Sequence, residues 1–440
     1  MQDNHTNYIL QDWRVFMRFS NIEFETLHSN KHRIHFLIGF VCVVVLLVLF
    51  IVGRSHAKYR VTESIPLVNG TINYSLADLN IIAITVDGET VDTIPEGNYE
   101  LTEESYCTVN GEEDSSISIS YEADTQTLTI LPFTTKGTKC YLDFVKSDPA
   151  KNTLDKLGLV AKEDTPNFSQ TATTDEGMYA AEDNLGTSYY FRGAVENNYV
   201  YFAGYYWRII RINGDGSIRI IYDGTTAHAN GESSTDRQIG ISAYSEDYNY
   251  SYYVGYTYEV GAQRSSTQNG GTASTIKGVL DSWYTINIVN QGLDDRVVSE
   301  IGFCNDREMA IGYEWIANPS STIYYKAYER LATNKVPTLE CSNNLDLYTT
   351  KVGLITADEV SMAGGVYNTN NTSYYLYTGQ FYWTMSPSAS VDVFAVNSTG
   401  RLIVWGLNYT SSVRPVINLS SDIIITGSGT ISDPYTVVGA

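Results

Sequence analysis

The distribution of apolar and polar positions changes character twice along the chain. Residues 36–53 form an uninterrupted apolar run of Val, Leu, Ile and Phe with no charged side chain, long enough to cross a bilayer as a helix. Beyond it the pattern turns to strand-like alternation. Ile82, Ile84 and Val86 alternate up to Asp87-Gly88, a tight-hairpin pair, and Ile117, Ile119 and Tyr121 alternate up to a turn at residues 123–125 before Leu128 and Ile130. Cys140, Leu142 and Phe144 share one face of a further strand. Residues 147–177 are polar with little periodicity and read as a linker carrying one helical turn over 154–160. The second change follows: Tyr199 to Phe202 and Trp207 to Ile212 lead into Asn213-Gly214-Asp215-Gly216 and then Ile218 to Tyr222, a set of hairpin strands.

Helical spacing is rarer. Ile276, Val279, Leu280 and Trp283 fall at i, i+3, i+4 and i+7 behind Ser274. A capping box, Thr356 with Glu359, opens a second helix that stops at Gly364-Gly365. A β meander follows over residues 381–419, broken by the turn Asn397-Ser398-Thr399-Gly400. The pattern predicts an α+β protein with a mostly antiparallel sheet and few helices. Its segments are a cytoplasmic tail at 1–33, a transmembrane helix at 34–53, a small β-sandwich-like stalk domain at 61–146, a linker at 147–177 and an α+β domain at 178–440.

Charge and cysteines fix the expected setting. Residues 61–440 hold 21 Lys and Arg against 46 Asp and Glu, a formal charge of −25. That balance argues against nucleic acid and anionic lipid headgroups as partners. Basic residues flank both ends of the apolar run, so orientation rests on the cysteines. Cys42 lies inside the run, and Cys107, Cys140, Cys304 and Cys341 form one pair within each proposed domain, read as two disulfides in an oxidising compartment. The expectation is a single-pass cell-membrane protein, anchored by 34–53 without cleavage, its C-terminal part extracellular.

Several stretches carry a resemblance: Tyr189-Tyr190-Phe191-Arg192-Gly193, Trp207 to Asn213, Phe303-Cys304-Asn305-Asp306-Arg307, Gly353 to Val360, Tyr382-Trp383-Thr384-Met385-Ser386-Pro387 and Val413-Arg414-Pro415-Val416-Ile417-Asn418-Leu419. Together they resemble a group of uncharacterised cell-surface proteins from Firmicutes, particularly gut Bacilli. The Trp…Ser-Pro…Val-Arg-Pro-Val pattern is also similar to bacterial C-type-lectin-like domains, distantly like the formylglycine-generating-enzyme fold. The resemblance implies that scaffold over 178–440. It does not carry the enzyme's activity across, because Cys304 and Cys341 lie 37 residues apart and no cysteine follows.

Candidate chemistry is sparse. His228 is the one histidine after residue 56 and sits in a polar loop, where it reads as an exposed bystander; a two-histidine metal site and an H-E-x-x-H motif are absent beyond it. A glycan hydrolase would need two carboxylates facing across a cleft, one of them desolvated. Glu246, Asp247, Asp281 and Asp306 are candidates. Calcium, which C-type-lectin-like domains often bind, stays unassigned because the ordered D-x-D-x-D-G pattern is missing, and no cofactor is expected. The stretch from Tyr244 to Tyr258 holds tyrosines among Ser, Asn and Gly, the composition of adaptable recognition loops, with a structural loop as the alternative. Tyr248, Tyr250, Tyr252, Tyr253, Tyr256 and an exposed Trp405 are the candidate ligand contacts. Trp207 and Trp383 read as core, and Arg414 as a buried, charge-paired residue. The expected function is extracellular binding or adhesion toward a glycan or a surface protein, with a carboxylate-dependent hydrolase as the alternative.

Overall fold

The computed structural model describes residues 80–93, 99–122, 127–132, 137–248, 250–260, 271–342 and 347–440. The expected tail at 1–33, the membrane helix at 34–53 and the turn at 123–125 lie outside them. No helix among the described residues is long and apolar enough to cross a membrane. The chain divides between Lys146 and Ser147 into two compact units. The class is mixed α+β, mostly strands with few helices.

The first unit is all β. Its strands are β1 (Asn80–Val86), β2 (Glu89–Val91), β3 (Tyr99–Leu101), β4 (Tyr106–Val109), β5 (Glu112–Glu113), β6 (Ser118–Glu122), β7 (Thr127–Leu131) and β8 (Thr138–Lys146). One sheet runs β2-β1-β8-β4-β5, with β3 also on β8; β6 and β7 form a separate hairpin. The β1–β2 turn works because Asp87 and Gly88 take φ of 51° and 82°. Cys107 stands directly opposite Cys140 in the β4–β8 register, and the two are disulfide-bonded. Around that bridge, Ile84, Leu142 and Phe144 of the sheet pack with Leu128 and Ile130 of the hairpin into one small core. A closed loop of this length contributes about 3–4 kcal/mol in the chain-entropy account.

In the second unit, residues 147–177 are not a linker. Asp148 caps α1 (Pro149–Lys156) by accepting from Lys151 N at 2.8 Å, and Ala150, Thr153 and Leu154 are buried. The segment looked like a linker because the buried residues of this short helix alternate with charged ones. After β9 (Ala161–Lys162) come β10 (Asp175–Asp183), β11 (Gly186–Gly193), β12 (Tyr199–Phe202), β13 (Tyr205–Ile212), β14 (Ile218–Gly224) and β15 (Gly240–Ala243). The short pair β16 (Thr257–Tyr258) and β17 (Thr272–Ala273) precedes α2 (Thr275–Asn287), and β18 (Val297–Val298) and β19 (Phe303–Cys304) follow it. Next are α3 (Lys326–Tyr328), which continues as a π-helical turn at Glu329–Asn334, β20 (Leu347–Tyr348) and α4 (Ala357–Met362). The chain closes with β21 (Tyr382–Ala389), β22 (Asp392–Val396), β23 (Leu402–Gly406), β24 (Thr410–Val413), β25 (Val416–Leu419), β26 (Ile425–Thr426) and β27 (Tyr435–Val437).

The larger sheet runs β18-β25-β14-β13-β11-β10-β9, extended by β12, β27 and β26; a five-stranded sheet runs β15-β24-β21-β22-β23. Both expected helix caps are present: Ser274 Oγ accepts from Lys277 N, and Thr356 and Glu359 form the capping box. Every residue of α4 is buried, and β14 and β25 are buried at every position. Such strands are covered on both faces, so Arg219 of β14 has no route to solvent. Arg192, Arg208, Arg219, Arg237, Arg307 and Arg414 are among the largest fully enclosed side chains. The turns of the β10–β11 and β13–β14 hairpins touch: a Cβ on Gly214 would stand 2.5 Å from Asp183 Oδ1, so only glycine fits there. The two ends of this unit meet as well. Tyr435 Oη donates to Leu157 O just past α1 at 3.0 Å, and Lys156 Nζ donates to Ile423 O at 2.7 Å.

Candidate functional site

Two aromatic groups lie in the second unit. Tyr244 N and Ser245 N both donate to Leu407 O, so the tyrosine-rich stretch leaves the core beside the β23–β24 turn. Tyr244 is buried edge-on against Trp383. Tyr252 and Tyr256 are buried too, contrary to the expectation that they meet a ligand: Tyr256 Oη donates to Val352 O at 3.0 Å, and burial pushes its hydroxyl pKa up. Tyr250, Tyr252, Tyr253 and Tyr258 form a ring cluster with centroids 4.6–5.1 Å apart for successive neighbours, the first pair stacked and the other two edge-to-face. Tyr248 is exposed, at 43%. The stretch is therefore half structural loop and half surface.

Trp405 is half-buried rather than exposed. It lies between Phe381 and Tyr409, at 5.2 and 4.9 Å, and Tyr409 is 55% exposed. Gly406 permits this packing, since the Tyr409 ring would meet a Cβ there at 3.1 Å. Sequence reasoning missed Phe381 and Tyr409. The signal was available for Tyr409, four residues after Trp405 across a glycine-containing turn.

His228 is buried, not a bystander. Its Nδ1 lies 2.8 Å from Glu232 Oε1 and its Nε2 3.0 Å from Asp236 Oδ2, so the ring bridges two carboxylates four and eight residues on. Burial works to raise the Asp236 pKa, but hydrogen bonds from His228, Thr225 and Thr226 outweigh it and hold the group down at about 2. Glu246 and Asp247 are exposed, and Asp281 pairs with Lys277 on α2. Among the described residues no group of three His, Cys, Asp or Glu is placed to hold a metal ion.

Asp306 leads to a different place. It lines a cavity of about 30 Å³ together with Asp183, Arg211, Arg219, Arg330, Asp358 and Glu359. Arg330 Nη2 donates to Asp306 Oδ2 and Asp358 Oδ2, each at 2.7 Å. Glu359 Oε1 lies 3.0 Å from Arg211 Nε and 2.7 Å from Arg219 Nε, and Arg211 Nη1 reaches Asp183 at 2.6 Å. Burial pushes the Asp358 carboxyl up in spite of Arg330. For Glu359 burial has the same direction, but Arg219 and Arg211 prevail and its pKa is lowered. Asp306 and Asp358 are thus both buried and share one guanidinium. Their cavity has room for about two waters, against the ~300 Å³ or more of a ligand pocket. The Cys304–Cys341 disulfide borders the cavity through Cys304. No residue spacing announced this cluster, because its members come from six separate stretches.

No known protein family, curated protein or solved structure matches the chain.

Proposed function

We propose that the protein is a single-pass, cell-membrane-anchored binding module that takes an extracellular glycan or surface protein through an aromatic strip of its second unit. The observation that carries this reading is the Phe381–Trp405–Tyr409 strip, rings held by packing with Tyr409 open to solvent. Rigid aromatics supply contact area at small entropic cost and stack on sugar rings. Two disulfides suit an oxidising exterior, and the apolar run at 36–53 suits an anchor. The scaffold belongs to the same proposal, a C-type-lectin-like domain of the Firmicutes cell-surface kind. Glycan-array binding by the purified full chain tests it. Tyr409→Ala should abolish the signal without moving the melting temperature, and retained binding would defeat the proposal.

The second reading is a carboxylate-dependent cell-wall or glycan hydrolase, for which Asp306 and Asp358 are the buried carboxylates that share a partner, although their cavity admits no sugar ring. Turnover of an array hit, lost in Asp358→Asn, would put it first.

A further inference from the structure

The cavity at Asp306 has a charge imbalance that its own side chains leave standing. Asp183 and Glu359 are matched by Arg211 and Arg219. Arg330 then faces Asp306 and Asp358 alone, and exposed Glu340 adds a further carboxylate at the mouth. Asp306 is 2% exposed, and its Oδ1 has no hydrogen-bond partner. A buried acceptor left without a donor costs about 1–3 kcal/mol. Burial first, and the neighbouring Asp306 charge to a smaller degree, push the Asp358 carboxyl up.

We infer that this cavity seats one primary ammonium group on an alkyl stem, as on a lysine side chain or a free alkyl amine, donating to Asp306 Oδ1. Size and chemistry agree on the group. A cavity of about 30 Å³ takes a water-sized head and no ring. Among the described residues no group of three His, Cys, Asp or Glu is placed to hold a metal ion, so the geometry does not favour one here. An ammonium has three donors and no acceptor, and can serve Asp306 Oδ1 while Arg330 keeps its three bonds to Asp306 and Asp358. The wall suits a stem, since Ile301, Leu339 and Leu347 line the same space. The mouth is held in place as well: Cys341 N donates to Asn184 Oδ1 at 2.8 Å, and Cys341 is bonded to Cys304. Arg330 itself stands on the π-helical turn Glu329–Asn334, a local departure from α geometry that recurs at functional sites.

The test is calorimetric titration of the full chain with n-butylammonium chloride, with tetramethylammonium chloride at equal ionic strength as the control. The expected result is saturable binding of n-butylammonium, at least about tenfold tighter than tetramethylammonium, which cannot donate. Asp306→Asn should remove the binding, and Glu246→Gln should leave it unchanged. A second arm uses a lysine-containing tetrapeptide: binding there too identifies a side chain as the source, and its absence a free amine. Equal weak responses to both salts would mean that the cavity holds water only and would overturn the inference. So would undiminished binding in Asp306→Asn; should that variant not fold, the comparison of the two salts on the unaltered chain decides. Glycan binding through Tyr409 is read separately, so either claim can fail without the other.

Discussion

Two buried ionic clusters of the second unit are mirror images in charge. Asp223 sits between Arg237 and Arg414, with Arg414 Nη2 and Arg237 Nη2 at 2.8 and 2.7 Å from its Oδ1. At the cavity, two carboxylates share one guanidinium. The cationic excess of the first is absorbed by main-chain carbonyls: Arg414 donates to Tyr222 O and Leu376 O, and Arg237 to Glu232 O, Tyr375 O and Tyr377 O. Carbonyls are plentiful wherever the backbone bends, so surplus arginine is easily accommodated in a folded interior. The anionic excess of the second needs donors, most of which are already committed to sheets and helices. One oxygen of Asp306 goes without, as does Asp223 Oδ2, but only Asp306 has a cavity beside it. The difference separates a strut from a receptor.

The largest effect is expected from breaking the strut. Asp223→Asn leaves two buried guanidiniums without an anion and should cost about 3–5 kcal/mol in urea denaturation; a loss under about 1 kcal/mol would show that the carbonyls suffice. Next comes Arg330→Met, which leaves Asp306 and Asp358 face to face and should cost about 3 kcal/mol at neutral pH. Its pH dependence has a definite sign. Asp358 is raised in the folded state, so its contribution is fully present below its ordinary value of 3.8 and is lost as pH rises through the folded value. Removing the guanidinium should steepen that loss, and a flat profile would refute the assignment. His228→Gln is smaller, about 1 kcal/mol, because Asp236 keeps its bonds from Thr225 and Thr226. Asp236 is depressed, so its contribution holds above 3.8 and is lost as pH falls toward about 2. The acid limb of the stability curve should be shallower in the variant. Tyr409→Ala should change stability by less than about 0.5 kcal/mol, since it touches neither cluster; a larger shift in melting would place that ring in the core instead.

What could be read from the chain was whatever is written locally. Ser274 and Thr356 announce their helices within three residues, Asp87-Gly88 its hairpin, and the alternation of Cys140, Leu142 and Phe144 its buried face. Arg414 was legible through its flanking Val and Pro residues. What could not be read depends on distance. Asp306 meets Arg330 and Asp358 only after β19, the π-helical turn and α4 have packed. The burial of Tyr256 is decided by Val352 and Tyr348, about a hundred residues on. His228 is the intermediate case: its partners lie within eight residues, yet a polar loop folded over its own histidine has the composition of a solvated one.

The junction of α1 with the last strands has a mechanical meaning. Tension entering the second unit at Ser147 reaches α1 first, and α1 is tied to Ile423 and Tyr435 rather than to the sheet interior alone. A pull must shear those ties before it can unzip β10 from β11. A chain pulled from Ser147 should therefore lose these two ties before its sheets come apart. Cutting the chain before Ile423 should lower the unfolding force along that axis.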